Sequence, residues 1–305
     1  MNWTMERRTA VTTDMRIEYE KSPDWEQYVL LSSDRHLDNP SSDLSLQRFH
    51  LDQAKERGAA VLDFGDLFDA MQGKTDKRQS KKDLLARFAA AVDLDEDTDS
   101  EQEITRSYLN MLVDYAAQFF EPYVENLALI GEGNHETGVD NKLEYNLLDG
   151  LIRDLNRMGN HRVIRGGYRG WIRFMFSNEA SKHRMSRTAY YHHGYGGGGP
   201  VTKNIIQTNR KAVYLPDADY VFGGHVHEHW IFPMSRVRMT SSGKEIADKQ
   251  YHVQLPTYKE EYLNKRGGWH HERGGPPKPI GAVWLRFYWS ARSQMIKAEF
   301  VEAET

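Results

Sequence analysis

Apolar residues in this chain fall in short unbroken runs, and a polar cluster follows several of them. Tyr28 to Ser33 (YVLLSS) reads as a buried strand, with Asp34-Arg35-His36 directly after it. Ser41-Ser42-Asp43 offers N-cap chemistry for a helix to about Arg57, where Gly58 closes it. A second run, Ala59 to Phe64, delivers Gly65-Asp66. Strand, helix, strand predicts a parallel pair. Leu127 to Ile130 predicts a third strand, ending in Gly133-Asn134-His135-Glu136. The spacing then predicts a helix over Leu143 to Leu155, with apolar residues at 143, 147, 148, 151, 152 and 155, ended by Gly159-Asn160.

Between Asp66 and Asn134 lies a long insert with a basic stretch (Lys74, Lys77, Arg78, Lys81, Lys82) and an acidic one over 93–103, read as a solvated loop. Leu84 to Val92 and Ile104 to Phe120 carry apolar residues at helical spacing on either side. From His161 onward the pattern changes to alternating segments: HRVIRG, WIRFMFS, TAYYHHG, YVFGGHVHEHW, YHVQLP and AVWLRFYW. These predict a second, mixed sheet. No repeat or low-complexity linker divides the chain, so a single domain over 1–305 is expected. It would carry a helical insert at about 72–125 and a substrate-side loop at about 258–280.

With 305 residues the chain can bury a substantial core. Cysteine is absent, which removes disulfides, thiolate metal sites and cysteine nucleophiles together. Any metal must rest on His, Asp, Asn or Glu. No apolar run reaches the roughly 20 residues that span a bilayer, and the first residues lack a secretory apolar stretch. The expectation is a cytoplasmic protein with no membrane partner; oligomeric state stays open. A net charge of -4 argues against a globally basic nucleic-acid binder while leaving local phosphate sites possible.

The polar clusters carry the chemistry. Two divalent cations roughly 3.5 to 4 Å apart offset the charge of a phosphoester and turn water into a nucleophile, provided one carboxylate bridges them. Asp66, after a small glycine at a strand end, suits that role. Asp34 and His36 are two residues apart, so in an extended segment their side chains share a side and can grip one ion. His225 and His227 repeat that geometry. Such N and O donors suit Zn, Mn, Fe or similar ions. Asn134 adds a neutral oxygen, and the adjacent His135 can act as general acid or as a transition-state hydrogen-bond donor.

Asp34-Arg35-His36, Gly65-Asp66, Gly133-Asn134-His135-Glu136, His192-His193-Gly194 and Gly224-His225-Val226-His227, in that order, resemble the signature of the calcineurin-like metallophosphoesterase superfamily, and most closely its diesterase and nuclease branch. The resemblance implies an α/β fold, a four-layer αββα sandwich of two mixed β-sheets flanked by helices. It assigns Asp34, His36, Asp66 and His227 to a first metal. Asp66, Asn134, His193 and His225 would hold a second, with His135 outside the ligand set. His193 is preferred to His192 because the family pattern places the ligand directly before glycine. Two divalent ions are expected, manganese first, with zinc, iron, nickel or magnesium as alternatives.

Each cluster alone has a blander reading as a turn with satisfied histidines; their order and placement favour the metal site. The implied activity is a phosphodiesterase, extending to DNA or RNA cleavage, that uses a metal-bridging hydroxide. The alternatives are a phosphomonoesterase on a small molecule or nucleotide and a non-catalytic scaffold of the same fold. Candidate substrate contacts are Arg35, Gly197 in the glycine run 196–199, Lys203 and Arg210 downstream, and Arg266 and His271 in the basic, aromatic loop Asn264 to Lys278. Asn204 could also reach a substrate phosphate. His229 is either a support for the ligands or a surface residue.

Overall fold

A computed structural model describes residues 1–70, 101–180, 182–197, 199, 201–240, 242–263 and 274–305. The basic stretch, the expected helix over Leu84 to Val92, the acidic residues 93–100, and Arg266 and His271 lie outside the described residues.

The chain opens with two strands that the apolar pattern left unassigned, β1 (Trp3–Arg7) antiparallel to β2 (Thr12–Glu18). β3 (Glu26–Ser32) leads to α1 (Leu44–Glu56), whose cap is Asp43: its carboxylate accepts from the Leu46 amide at 2.9 Å. β4 (Ala60–Asp63), α2 (Glu101–Phe120), one 3-10 turn (Glu121–Asn126) and β5 (Leu127–Ile130) follow. Glu101-Gln102-Glu103, the end of the acidic stretch, is thus helical rather than loop.

The helix expected over Leu143 to Leu155 begins at Leu147, and a further helix precedes it. α3 (Asn134–Leu143) and α4 (Leu147–Met158) are separated by Glu144 at φ 51. α4 buries Leu147, Leu148, Leu151, Ile152 and Leu155, whereas α3 buries only Glu136 and Val139 and leaves almost no apolar periodicity to read. The rest of the chain is β6 (Ile164–Arg165), β7 (Arg169–Asn178), β8 (His183–His192), α5 (Ile205–Tyr214), β9 (Tyr220–Gly223), β10 (Trp230–Met239), β11 (Glu245–Gln254), β12 (Val283–Ser290) and β13 (Met295–Glu302).

Two mixed sheets result, one of six strands in the order β13-β12-β3-β4-β5-β6 and one of seven in the order β1-β2-β7-β8-β9-β11-β10. The segments HRVIRG and AVWLRFYW, expected in the second sheet, supply β6 and β12 to the first; β12 pairs antiparallel with β3, Leu285 opposite Val29. The physical reason is visible in β12 itself. Val283 and Leu285 face the core between the sheets while Trp284 faces the helix-side core, so the strand is apolar on both faces. Only a sheet covered on both sides accommodates that.

Helices α1, α2 and α4 cover the outer face of the first sheet through Leu51, Leu112, Phe120, Leu151 and Leu155 against Leu30, Val61 and Ile130. Between the sheets lie Val29, Leu62, Phe64, Leu129 and Phe287 against Ile17, Phe174, Phe176, Tyr220 and Phe222. Outside the second sheet a small cluster of Tyr190, Leu215, Ala218 and Val221 sits at the end of α5. Helix, sheet, sheet, helix is the layering that the sequence resemblance implied. Among the described residues no helix is long and apolar enough to cross a membrane.

Candidate metal centre

The parallel strands β3, β4 and β5 end on one edge, and β8 and β9 end beside them. Past the last ladder bonds the loops still run together: the Asp34 amide donates to Gly65 O at 2.8 Å and the His36 amide to Asp66 O at 3.1 Å. The backbone there is not extended, contrary to the expectation for the D-x-H and H-x-H pairs. Asp34 (φ 54), His36 (φ 47), Asp66 (φ 54), His225 (φ 74) and His227 (φ 52) all adopt the left-handed conformation. Alternating left-handed residues still bring the spaced side chains together. Asp34 is pinned by its carbonyl, which accepts from Thr257 Oγ1 at 2.9 Å and the Tyr258 amide at 3.1 Å.

Close approach demands glycine in four of the motifs, at Gly65, Gly133, Gly194 and Gly224. A Cβ on Gly133 would fall 2.0 Å from Asp66 Oδ1, and one on Gly224 would fall 2.1 Å from Ser33 Oγ and 2.6 Å from Asp34 Oδ2.

Three overlapping groups of donor atoms have the compactness of metal sites: Asp34, His36 and His227; His36, Asp66 and His135; Asp66, His193 and His225. Nε2 of His227 lies 3.3 Å from Nε2 of His36 and 3.3 Å from Asp34 Oδ1. On the other side His193 Nε2 lies 3.1 Å from Asp66 Oδ2 and 3.2 Å from Asn134 Oδ1. Bonds of about 2.0–2.2 Å in tetrahedral or octahedral arrangement set neighbouring donors about 2.8–3.6 Å apart, so these spacings suit a divalent cation. His225 Nδ1 to Asn134 Oδ1, at 2.6 Å, is tighter and would open slightly around an ion. Asp66 belongs to two of the groups.

The far nitrogens are anchored. His193 Nδ1 donates to Phe64 O at 2.9 Å, which presents Nε2 to the centre. His225 does the reverse, donating Nε2 to Gly196 O at 2.9 Å and presenting Nδ1. His36 Nδ1 lies 2.9 Å from Asp69 Oδ1, a carboxylate–histidine pairing that leaves Nε2 facing His227. His135 Nδ1 is 2.5 Å from Asp69 O, and its Nε2 stands 3.8 Å from Asp66 Oδ2.

Burial alone would push the Asp66 and Asp34 carboxyls up. The His193 and His135 charges outweigh it and hold Asp66 well below the ordinary carboxylate value, while His227 and His193 bring Asp34 to about 2. Burial opposes the charged form of His193 too, but Asp66, Asp34 and Glu136 raise it to about 10. His36 and His225 move the other way, lowered mainly by burial. Such a cage holds positive charge strongly.

Several supporting residues were given no role from the sequence. Asp69 orients His36 through its carboxylate and His135 through its carbonyl, and Lys259 Nζ lies 3.3 Å from Asp69 Oδ1. Asp38 accepts from the Asp69 and Ala70 amides at 2.6 and 2.9 Å. Glu136 accepts from the Asp66, Phe68 and Gly133 amides at 3.1, 2.9 and 2.8 Å, satisfying the N-cap amide of α3 and tying the Asp66 loop to it. Burial, then the Asp66 charge, pushes Glu136 up to about 7. The signal for these residues was proximity to the motifs, since Asp69 and Glu136 each sit within three residues of Asp66 or Asn134.

The expected substrate contacts fare differently. Arg35 is a correction: it is fully buried, with Nε 2.7 Å from Asp63 Oδ2, Nη1 3.1 Å from Gln47 Oε1 and Nη2 2.9 Å from Ser32 Oγ. It faces away from solvent because Asp34 and His36 on either side occupy the site. Gly197 and Arg210 are exposed, with no bond to the centre. Lys203 lies 3.6 Å from Glu228, which Lys278 also engages at 2.6 Å. His192 is outside the metal-capable groups; it accepts from the Gly194 amide at 3.0 Å. His229 bridges Gln254 O at 2.7 Å and Glu302 at 3.3 Å. Asn204 precedes α5 as its N-cap residue and belongs to none of the metal-capable groups.

No family model matches the chain, and no curated protein does. Among solved structures it is similar to Vps29 of Entamoeba histolytica complexed with zinc, at 10% identity and a TM-score of 0.31, covering 90% of this chain and 99% of that one. A conserved uncharacterized protein of Streptococcus pneumoniae, a predicted phosphoesterase, aligns at 8% identity and TM-score 0.31, covering 92% and 99%. GAP50 of Plasmodium, described as the anchor in the inner membrane complex, aligns at 10% identity and TM-score 0.39, covering 91% and 84%.

Proposed function

We propose that the protein is a dinuclear metal-dependent phosphoester hydrolase acting on phosphodiesters, nucleic acid included. The observation that carries this reading is the convergence of seven donors from five separate loops around Asp66, with Asp34, His36 and His227 on one side and Asn134, His193 and His225 on the other. Divalent cations held there would offset the charge of the phosphoester and lower the pKa of water at the site. Manganese is the first candidate ion.

The chain's own residues supply the rest. Asp66, its Oδ1 accepting the His135 amide at 3.0 Å at the N-terminus of α3, stays ionised between the two donor sets. Burial disfavours the His135 imidazolium, but the Asp66 and Asp69 charges outweigh it and hold its pKa above the ordinary value. With Nδ1 fixed on Asp69 O, Nε2 of His135 is the group that can give a proton to the departing alkoxide oxygen. His135 thus acts as acid rather than ligand, although its Nε2 sits within a metal-capable group.

Purified protein, assayed with added Mn on bis-p-nitrophenyl phosphate, p-nitrophenyl phosphate, cyclic nucleotides and single- and double-stranded DNA, tests the reading. Diester hydrolysis that disappears in Asp66→Ala is expected. Hydrolysis of the monoester alone would replace the diesterase by a phosphomonoesterase, and no hydrolysis by metal-loaded protein would favour a scaffold.

A further inference from the structure

Helix α5 lies on the second sheet with its polarity inverted. Its buried residues are Thr208 and Lys211, while Ile206, Val213 and Tyr214 are 52%, 82% and 58% exposed. A helix packed on a sheet normally buries the apolar set. Lys211 is 8% exposed, and among the described residues no carboxylate pairs with it and no acceptor bonds its ammonium. Burying an unpaired cation is far costlier than burying an isoleucine of the same helix.

The head group belongs to a small cleft, open at its mouth, lined by Thr208, Lys211, Gly223, Trp230, His252 and Gln254. A Cβ on Gly223 would lie 3.2 Å from Gln254 Oε1, 3.7 Å from His192 O and 3.8 Å from Lys211 Nζ, so the glycine, the amide side chain and the ammonium share one wall of the cleft. His252 Nε2 lies 2.8 Å from Gln250 Oε1, and burial, with the Lys211 charge, pushes this imidazole down to about 4. Burial lowers Lys211 itself to about 8. Asn204 and Gln207 bring the first turn of α5, the positive end of the helix, to the same cleft. Positive potential with neutral neighbours is a setting for an anion.

We propose that this cleft is a second site, separate from the metal centre, in which Lys211 holds one small oxyanion, phosphate or carboxylate, with the Thr208 hydroxyl as a further donor. It stands on its own residues and does not depend on the hydrolytic reading.

Calorimetric titration of inorganic phosphate, sulfate and acetate at constant ionic strength tests it in the wild-type protein and in three variants, Lys211→Met, Thr208→Val and Asp66→Ala. Lys211→Met removes a buried charge at nearly constant volume, so its fold should persist; Lys211→Gln serves if methionine repacks. The expected result is saturable binding of at least one oxyanion, weakened about tenfold or more in Lys211→Met, as loss of a charge-assisted contact requires. Thr208→Val should weaken it less, and Asp66→Ala should leave it within about twofold. Preference for phosphate and sulfate or for acetate identifies the ligand class. No saturable binding, binding unchanged in Lys211→Met, or binding lost only in Asp66→Ala would overturn the proposal.

Discussion

Five of the seven donors at the centre are non-glycine residues in the left-handed conformation. Such residues cost roughly 1–3 kcal/mol each and persist only where the surroundings hold them. Here the hold is explicit: the Asp34 carbonyl takes two hydrogen bonds, the His225 amide donates to Asp34 at 2.9 Å, and Glu136 accepts three amides around Asp66. Donor identities were legible in the sequence because D-x-H and H-x-H spacing is written in residue types. Their backbone was not, since neither Asp nor His announces a positive φ. Two expectations follow. Replacing His135 by Asn should keep metal content, measured by elemental analysis, near wild type while turnover falls about 10²–10⁴-fold, as for loss of a general acid; loss of metal would make His135 a ligand. Gly133→Ala, by driving a methyl group into Asp66, should lower metal occupancy itself.

At the scale of elements, short apolar runs located β3, β4 and β5 well, because strands buried on both faces need apolar residues at nearly every position. β1 and β2 were missed because they carry few apolar residues: in Thr12–Glu18 only Met15 and Ile17 reach the core between the sheets, and Asp14, on the opposite face, is buried against Arg173 of β7 at 2.6 Å. α3 was missed because it is held by caps and by the Asp66 loop rather than by an apolar face. Arg35 was misread for a related reason. A basic residue between two ligands suggests a substrate contact, yet its guanidinium is consumed by Asp63 on β4, stacking 5.1 Å from the Tyr258 ring. It ties the β3 loop to β4 and α1, so Arg35→Ala should act on folding before chemistry. Leaving Asp63 charged and unpaired costs about 3–5 kcal/mol, readable as a lower denaturant midpoint. A variant as stable as wild type but unable to bind substrate would restore the substrate role.

For the whole molecule, the candidate centre is a place where polar groups from the two sheets meet. Asp34, His36, Asp66 and Asn134 follow strands of the first sheet, and His193, His225 and His227 follow strands of the second. Filling the centre with cations should therefore stabilise the fold as any ligand of the native state does, and chelation should lower the melting temperature. The dependence on pH has a definite sign. Without metal, His193 is held at about 10, above its unfolded value of 6.5. Its imidazolium then contributes stability that is complete below pH 6.5 and is lost as pH rises toward 10. With metal, the ligand nitrogen must be deprotonated, so binding releases that proton and strengthens as pH rises. Both effects act in one direction. The difference in melting temperature between loaded and chelated protein should widen from pH 7 to pH 9.5, and in His193→Gln the widening should be largely lost. A difference that narrows over that range would mean that His193 does not exchange a proton for a metal ion.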